Sequence, residues 1–384
     1  MPSTTTKTWD IFCRVIDNFG DIGVCWRLSR QLVADHNQQV RLWVDDLNSL
    51  IRIWPAAQDL DRQQLAGVEV CRWQPEFRSD ITIADVVIEA FACDIPPSYI
   101  EAMAGLKRAG NAPAWINLEY LSAERWIEDC HRMQSPHPAT GLRKTFFFPG
   151  FTTKTGGLLR EENLLQQRDQ FQAARWLEKM GVTPDQRALL VSLFAYENSA
   201  VAGLLDTWAT GEKPVHCLVP GGKILTSINQ SLGKELSDGD VYQQGNLRLQ
   251  VIPFLTQLEY DYLLWACDIN FVRGEDSFVR AQWAAKPLIW HIYPQEEEAH
   301  ITKLSAFLDV YLANTNDAEN QSFANQIRDL WLNWNQSGDI GGSWNDLQAL
   351  LPEWQGHSRE WCELLAGQVD LARQLVDLSA DQGR

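Results

Sequence analysis

Two segments of this chain bring together residue types that do chemistry. The first is Asp17-Asn18-Phe19-Gly20-Asp21-Ile22-Gly23. Two carboxylates four residues apart can grip a cation, orient it and take a proton from it. They would repel a phosphate, and the glycines do not follow G-x-G-x-x-G, so no dinucleotide fingerprint is present. The plain structural alternatives are a helix N-cap for Asp21 and a turn residue for Asp17. Taken together, with Gly20 and Gly23 allowing close backbone approach, the pair favours chemistry. The second segment runs Asp268-Ile-Asn-Phe-Val-Arg273-Gly274-Glu275-Asp276-Ser277-Phe278-Val279-Arg280. It reads as strand, tight loop, helix start, and the free N–H groups and positive dipole end of a helix make a diphosphate site. Arg273 and Arg280 can add charge-assisted bonds to phosphate. Ser277 suits either an N-cap or a phosphate donor. Glu275 suits either a ribose hydroxyl pair or simply a stable first turn.

Three further loops follow strand-like runs. Phe254, in Pro253-Phe-Leu-Thr-Gln257, can stack a base, or can be buried. Tyr196, in Ser192-Leu-Phe-Ala-Tyr-Glu-Asn198, can donate its hydroxyl to a phosphate. Pro220-Gly-Gly-Lys223 lacks the rest of a P-loop and is a weak signal. Metal-ligand spacings, HExxH and G-x-S-x-G are all missing from the sequence, and its seven histidines are scattered.

These loops need rigid elements behind them. Strand-like runs fall at 9–16, 40–44, 68–73, 81–88, 114–118 and 144–148, with helical spacing between most of them; Ile22, Cys25, Leu28 and Leu32 begin one such helix. A turn-rich stretch at 149–157 marks a boundary. A polar helical stretch follows at 161–180. A second alternating series then places strands at 188–194, 215–219, 247–252, 268–272 and 286–292, with a helix at 199–210. Residues 359–378 read as one long C-terminal helix, and 316–321 and 336–342 as surface loops. Alternating strands and helices imply parallel sheets covered on both faces. The expected fold is therefore α/β, with two Rossmann-like units in tandem, and ligands at the carboxyl ends of the strands.

The chain has 384 residues, 45% hydrophobic and 22% charged, which fits two to three globular domains and excludes disordered, collagen-like and coiled-coil classes. Its 33 basic residues against 50 acidic ones give a net charge of −17. That argues against a general nucleic-acid binder and fits either solubility or attraction of a basic partner. The eight cysteines form no CxxC pair and sit in apolar runs, as expected of buried thiols in a reducing cytoplasm. The polar start of the chain shows no signal core, and no apolar run is long enough to span a bilayer, so no membrane association is expected. Core packing is the expected role of the 17 tryptophans, with a sugar-binding stripe as the alternative.

Several of these segments carry a family resemblance. Asp17-Asn-Phe-Gly-Asp-Ile-Gly, Trp115-Ile-Asn-Leu-Glu-Tyr-Leu-Ser, Phe148-Pro-Gly-Phe, Gly156-Gly-Leu-Leu-Arg-Glu and Arg273-Gly-Glu-Asp-Ser-Phe-Val-Arg-Ala-Gln-Trp resemble the protein-arginine rhamnosyltransferases that modify bacterial elongation factor P, the EarP family. The motifs run in family order from residue 9 to about 305.

The resemblance implies a GT-B glycosyltransferase fold, two Rossmann-like domains facing a central cleft. It implies an N-terminal acceptor-binding domain at 1–160 and a nucleotide-sugar-binding domain at 161–357. A C-terminal helical segment, 358–384, would pack back on the first domain. It further implies dTDP-β-L-rhamnose as donor, no separate cofactor and no metal, and one arginine of elongation factor P as acceptor. The transfer would invert the anomeric centre, and the modified factor would rescue ribosomes stalled at proline runs. By resemblance, Asp17, Asp21 and Glu275 matter for activity, and Tyr196, Phe254, Gln257, Asp276 and Ser277 surround the donor. Asn18, Phe19 and Gly20 of the first loop, and Arg273 and Gly274 of the second, complete the expected substrate contacts. A guanidinium is a poor nucleophile with a pKa above about 12. Asp21 is the expected general base and Asp17 its orienting partner. Other readings are a nucleotide-sugar epimerase, a glycosyltransferase for a small acceptor, or a non-catalytic acidic binding protein. An NAD-dependent oxidoreductase is disfavoured by the missing glycine fingerprint.

Overall fold

The structure, a computed structural model, describes residues 6–16, 19–74, 81–295, 299–313 and 318–382. The chain divides into two compact units. One holds residues 1–162 together with 367–384, and the other holds 163–366.

In the first unit, β1 (Thr8–Cys13) leads into α1 (Gly20–Ala34), followed by β2 (Gln39–Val44), α2 (Leu47–Ile53), β3 (Arg62–Leu65), β4 (Val68–Arg72) and β5 (Val86–Ala90). Then come α3 (Pro97–Arg108), β6 (Ala114–Leu118), α4 (Trp126–Cys130), β7 (Gln134–Pro136) and β8 (Arg143–Phe147). The eight strands lie in the order β3-β4-β2-β1-β5-β6-β8-β7. The central pairs are parallel, whereas β3 and β7 are antiparallel edges.

The second unit opens with α5 (Leu164–Asp169) and α6 (Ala173–Lys179), then β9 (Leu189–Leu193), α7 (Val201–Thr210), β10 (Val215–Pro220), α8 (Ile224–Leu232), β11 (Val241–Gln244) and β12 (Leu247–Ile252). It continues through α9 (Gln257–Ala266), β13 (Ile269–Arg273), α10 (Asp276–Ala284), β14 (Leu288–His291), α11 (Ala299–Tyr311), α12 (Ala318–Asn335), α13 (Ile340–Gln348) and α14 (Leu351–Ala366). Its sheet runs β11-β12-β10-β9-β13-β14, with β11 the antiparallel edge. A last helix, α15 (Leu371–Gln382), belongs to the first unit.

Helices return most of the parallel strands, and two-sided cover explains their near-continuous apolar runs. Fifteen of the 17 tryptophans are buried, Trp54 and Trp126 being the exceptions, so they fill the core and form no sugar-binding stripe. The cysteines are thiols, and all but Cys130 are buried.

Several elements depart from the sequence expectations. The sheets are mixed at their edges, because β3, β7 and β11 are short polar strands without an apolar alternation to betray them. The run at 81–88 becomes a strand only from Val86. Asp85 accepts hydrogen bonds from the Thr8 amide and hydroxyl, both at 2.8 Å, and anchors the approach. The helical stretch at 161–180 breaks in two, because Phe171 leaves the helix to stack on Tyr262 (ring centroids 5.0 Å apart). The single helix expected at 359–378 is α14 and α15 separated by Gly367–Asp370. Asp370 Oδ1 accepts the Arg373 amide hydrogen at 3.1 Å and starts a new helix. The units accordingly meet in sequence at 162/163 and 366/367, whereas 160/161 and 357/358 were expected. Residues 318–321 and 340–342 are helical, not loop.

Candidate active site

In each sheet the strand order reverses direction at one point, and ligands of open α/β sheets bind outside the carboxyl ends of the strands there. In the first unit the reversal lies between β1 and β5, in the second between β9 and β13. The loops singled out in the sequence leave those strands.

In the second unit, Arg273 ends β13 and Gly274 takes a left-handed φ of 62°. This lets the chain turn sharply into α10. Glu275 occupies the N-cap position without a side-chain cap bond, so the first-turn N–H groups are not closed off by that carboxylate. Trp290 Nε1 donates to Gly274 O at 2.9 Å, and its ring stacks on Phe278 with centroids 3.9 Å apart. The turn is thus pinned from β14. Asp276 and Ser277 lie half-buried in the first turn. Gln257 Nε2 donates to Asp276 Oδ2 at 3.1 Å, joining the start of α9 to the start of α10. A capping box between Thr256 and Glu259 fixes that α9 start. Phe254 is half-buried just before it.

Arg273 is 6% exposed. Its guanidinium carbon lies 4.6 Å from the Phe194 ring centroid and 4.7 Å from that of Tyr196, which holds the cation between two aromatic faces. Its Nε has no hydrogen-bond partner among the described residues. Tyr196 is buried, with His291 and Tyr293 edge-on to it, each at 5.4 Å, and Lys223 Nζ 5.8 Å from its ring. Burial, with the Arg273 and His300 charges adding, pushes the His291 imidazole down to about 3, so it is neutral at ordinary pH. Burial also raises the Tyr260 phenol, against the opposing effect of Ser277 beside it.

One expected phosphate contact is absent. Arg280 is 2% exposed and makes a two-pronged ion pair with Asp261, Nε to Oδ1 at 3.0 Å and Nη2 to Oδ2 at 2.8 Å. It is committed to the core by that pair, one turn along α10 from the half-buried Asp276 and Ser277. Phe194 and His291 carried no role in the sequence reading. Their signal was position alone, each at a strand's carboxyl end beside a loop that had been marked.

In the first unit, Asp21 lies in the first turn of α1, only 2% exposed. It is not the N-cap. Phe19 holds that position, and Gly20 is the first helical residue. Asp21 Oδ2 instead accepts the Ile16 amide hydrogen at 2.8 Å, tying the loop after β1 to the helix. The Cys13 thiol is pushed well up by its hydrogen bond with Cys25, by burial and by the Asp21 and Asp45 charges. Asp17 and Asn18 lie outside the described residues. The structure thus gathers Tyr196, Phe254, Gln257, Arg273, Gly274, Glu275, Asp276 and Ser277 at one end of the second sheet. Phe19, Gly20 and Asp21 stand at the corresponding end of the first.

A family model described as elongation factor P (EF-P) rhamnosyltransferase EarP matches residues 9–380. A protein-arginine rhamnosyltransferase of Pseudomonas putida is 50% identical over 376 residues, which cover 96% of this chain and 97% of that protein. One from Pseudomonas aeruginosa is 48% identical over 381 residues, covering 97% and 99%. A solved structure, described as the basis for EarP-mediated arginine glycosylation of translation elongation factor EF-P, matches at TM-score 0.68 and 38% identity. It covers 98% of this chain and 99% of that one. The tandem Rossmann-like units are those of the GT-B fold. The chain belongs to the EarP family of elongation factor P rhamnosyltransferases, and it is a glycosyltransferase.

Proposed function

We propose that the protein transfers L-rhamnose from dTDP-β-L-rhamnose to one arginine of elongation factor P, in the cytoplasm, and so readies the factor for ribosomes stalled at proline runs. The observation that carries this reading is the near full-length likeness, at 50% and 48% identity, to proteins named protein-arginine rhamnosyltransferase. The site chemistry supports it from both units. The second unit offers a helix start, a sandwiched guanidinium and half-buried Phe254, which suit a diphosphate and a stacked base. The first offers a buried carboxylate at a strand end, which suits a cationic acceptor. No other reading gains a specific observation.

In the proposed step, an acceptor guanidinium nitrogen attacks the anomeric carbon on the face opposite the diphosphate. The C–N bond forms as the C–O bond to dTDP breaks, and the leaving oxygen keeps the electron pair. The nitrogen's proton passes to Asp21, and a single displacement inverts the anomeric centre. Asp17 is assigned as the partner that orients the guanidinium. The α10 N-terminus and Arg273 would stabilise charge building on the diphosphate. Glu275 is assigned to the donor's ribose or to organising the carboxylates.

The test is intact-protein mass spectrometry of elongation factor P after incubation with this protein and dTDP-β-L-rhamnose. The expected result is a gain of one deoxyhexose that maps to an arginine. No gain, with dTDP bound, sends the search to other acceptors. No gain without dTDP binding overturns the donor assignment as well.

A further inference from the structure

The segment Trp115–Ser122 was singled out in the sequence but has no part in the chemistry above. It forms β6 and the loop that leaves it, beside the reversal point of the first sheet. Phe12 pairs with Glu89, and Glu89 with Asn117, so these three residues form one row across β1, β5 and β6. The residues just beyond that row therefore leave neighbouring strands on one edge. They are the loop that ends in Asp21, the turn at Phe91, and Glu119 with Tyr120.

Three observations at that edge point the same way. Phe91, Ala92 and Asp94 all have left-handed φ values (56°, 51° and 53°). Non-glycine residues hold that conformation only where the surroundings impose it, and such strain collects at functional sites. The turn holds Phe91, 6% exposed, under Tyr120, 38% exposed, with the rings stacked at 4.5 Å and 19°. Finally, Asn117 is 1% exposed and its Nδ2 donates to Glu119 Oε1, while its own Oδ1 has no partner among the described residues. A fully buried amide is thus held towards a half-buried carboxylate. Glu89, in the same row, accepts from Lys144 Nζ at 3.0 Å and Trp115 Nε1 at 3.1 Å.

We propose that Glu119 and Tyr120 form the seat for the acceptor's guanidinium, with Asn117 as the positioning residue that aims Glu119. This rests on the acceptor reading given above. A guanidinium is planar, presents paired N–H donors to a carboxylate and stacks on an aromatic face. Glu119 takes one edge of the group, Tyr120 supports its plane, and the remaining nitrogen is left to Asp21. An ammonium has neither a plane to stack nor a fork to pair, so the seat selects arginine over lysine.

The experiment measures steady-state transfer to intact elongation factor P, with dTDP affinity followed by calorimetry. Glu119→Gln should raise the acceptor KM about tenfold or more, the loss of a charge-assisted bond, and leave the dTDP Kd unchanged. Tyr120→Ala should lower kcat/KM for the acceptor about tenfold, and Tyr120→Phe should restore it. Asn117→Leu should act in the same direction as Glu119→Gln and add little to it in the double variant. An unchanged acceptor KM in both Glu119→Gln and Tyr120→Ala, with transfer and dTDP binding intact, overturns the inference and leaves the proposed function standing. Loss of dTDP affinity in both variants makes the residues structural and also overturns it. No transfer by the unaltered chain removes the acceptor reading and this inference together.

Discussion

The carboxyl ends of the two sheets obey one topological rule and carry opposite chemistry. In the first unit the loop after β1 returns a buried carboxylate, Asp21, onto the Ile16 amide. In the second the end of β13 places a cation, Arg273, between two rings beside the start of α10. The same strand-loop-helix turn thus buries a carboxylate in one place and a guanidinium in the other. The backbone offers N–H groups at both helix starts, so the side chains decide the sign. At α1 the first turn carries Asp21; at α10 it carries Asp276 beside the N-cap Glu275, and the sandwiched Arg273 ends the strand before it.

That contrast can be broken at several points. The largest expected effect is on turnover. Asp21→Asn keeps an oxygen for the Ile16 amide but removes the base, so transfer should fall about a thousandfold while dTDP still binds. Normal turnover in a mass-spectrometric time course would remove Asp21 from the chemistry. Next comes a test between the two arginines of the second unit. Arg280→Met removes the buried cation that pairs with Asp261, and should cost about 3–5 kcal/mol in a denaturant melt. Arg273→Met should instead weaken dTDP binding with little loss of stability. If the two variants exchange phenotypes, the division between core and ligand cation is wrong.

Smaller is the acid limb of stability. Unfolded His291 takes up a proton below its ordinary value of 6.5, whereas the buried ring resists until about pH 3. The stability gained by keeping it neutral is therefore whole above pH 6.5 and is lost as the pH falls towards 3. At pH 5 the loss amounts to about 2 kcal/mol relative to pH 8. His291→Gln should flatten that part of a Tm-against-pH curve; an unchanged slope would assign the acid sensitivity to His131 and His216, both held at about 4 by burial. The smallest effect is on the donor alone. Ser277→Ala and Tyr196→Phe should each weaken dTDP binding by about tenfold or less, as for one hydrogen bond. Unchanged calorimetric affinity would remove both from the phosphate site.

Much of this was legible in the sequence where local pattern and tertiary role coincide. The strand expected at 247–252 matches β12, Leu247–Ile252, because its apolar run is set by burial on both faces. The loops at Asp21 and Arg273 stood out because glycine and charge interrupt apolar runs at strand ends. What stayed hidden depended on partners distant in sequence. Arg280 reads as a phosphate ligand until Asp261, on another helix, is seen to claim it. Phe171 reads as a helical residue until Tyr262 draws it out. His291 and Phe194 acquire meaning only when β14 and β9 bring them to Arg273 and Tyr196. Periodicity reports which face a residue turns to the core, not what waits there.

The return of α15 to the first unit sets an order of events during synthesis. This helix packs against α1, its first residue donates the Leu371 amide to Leu158 O at 3.0 Å, and Gln31 of α1 donates to Asp370 at 3.0 Å. Nearer the start of the chain, Lys7 Nζ donates to Ser379 O at 2.6 Å. The whole of the second unit lies between these partners in sequence. On a ribosome that releases residues one after another, a domain ordinarily folds as it emerges. Here the unit that emerges first is completed only once α15 has been translated, and α1, which carries Asp21, gains the support of that helix only then. A nascent chain whose emerged part ended between residues 366 and 371 would hold the whole second unit and an incomplete first one.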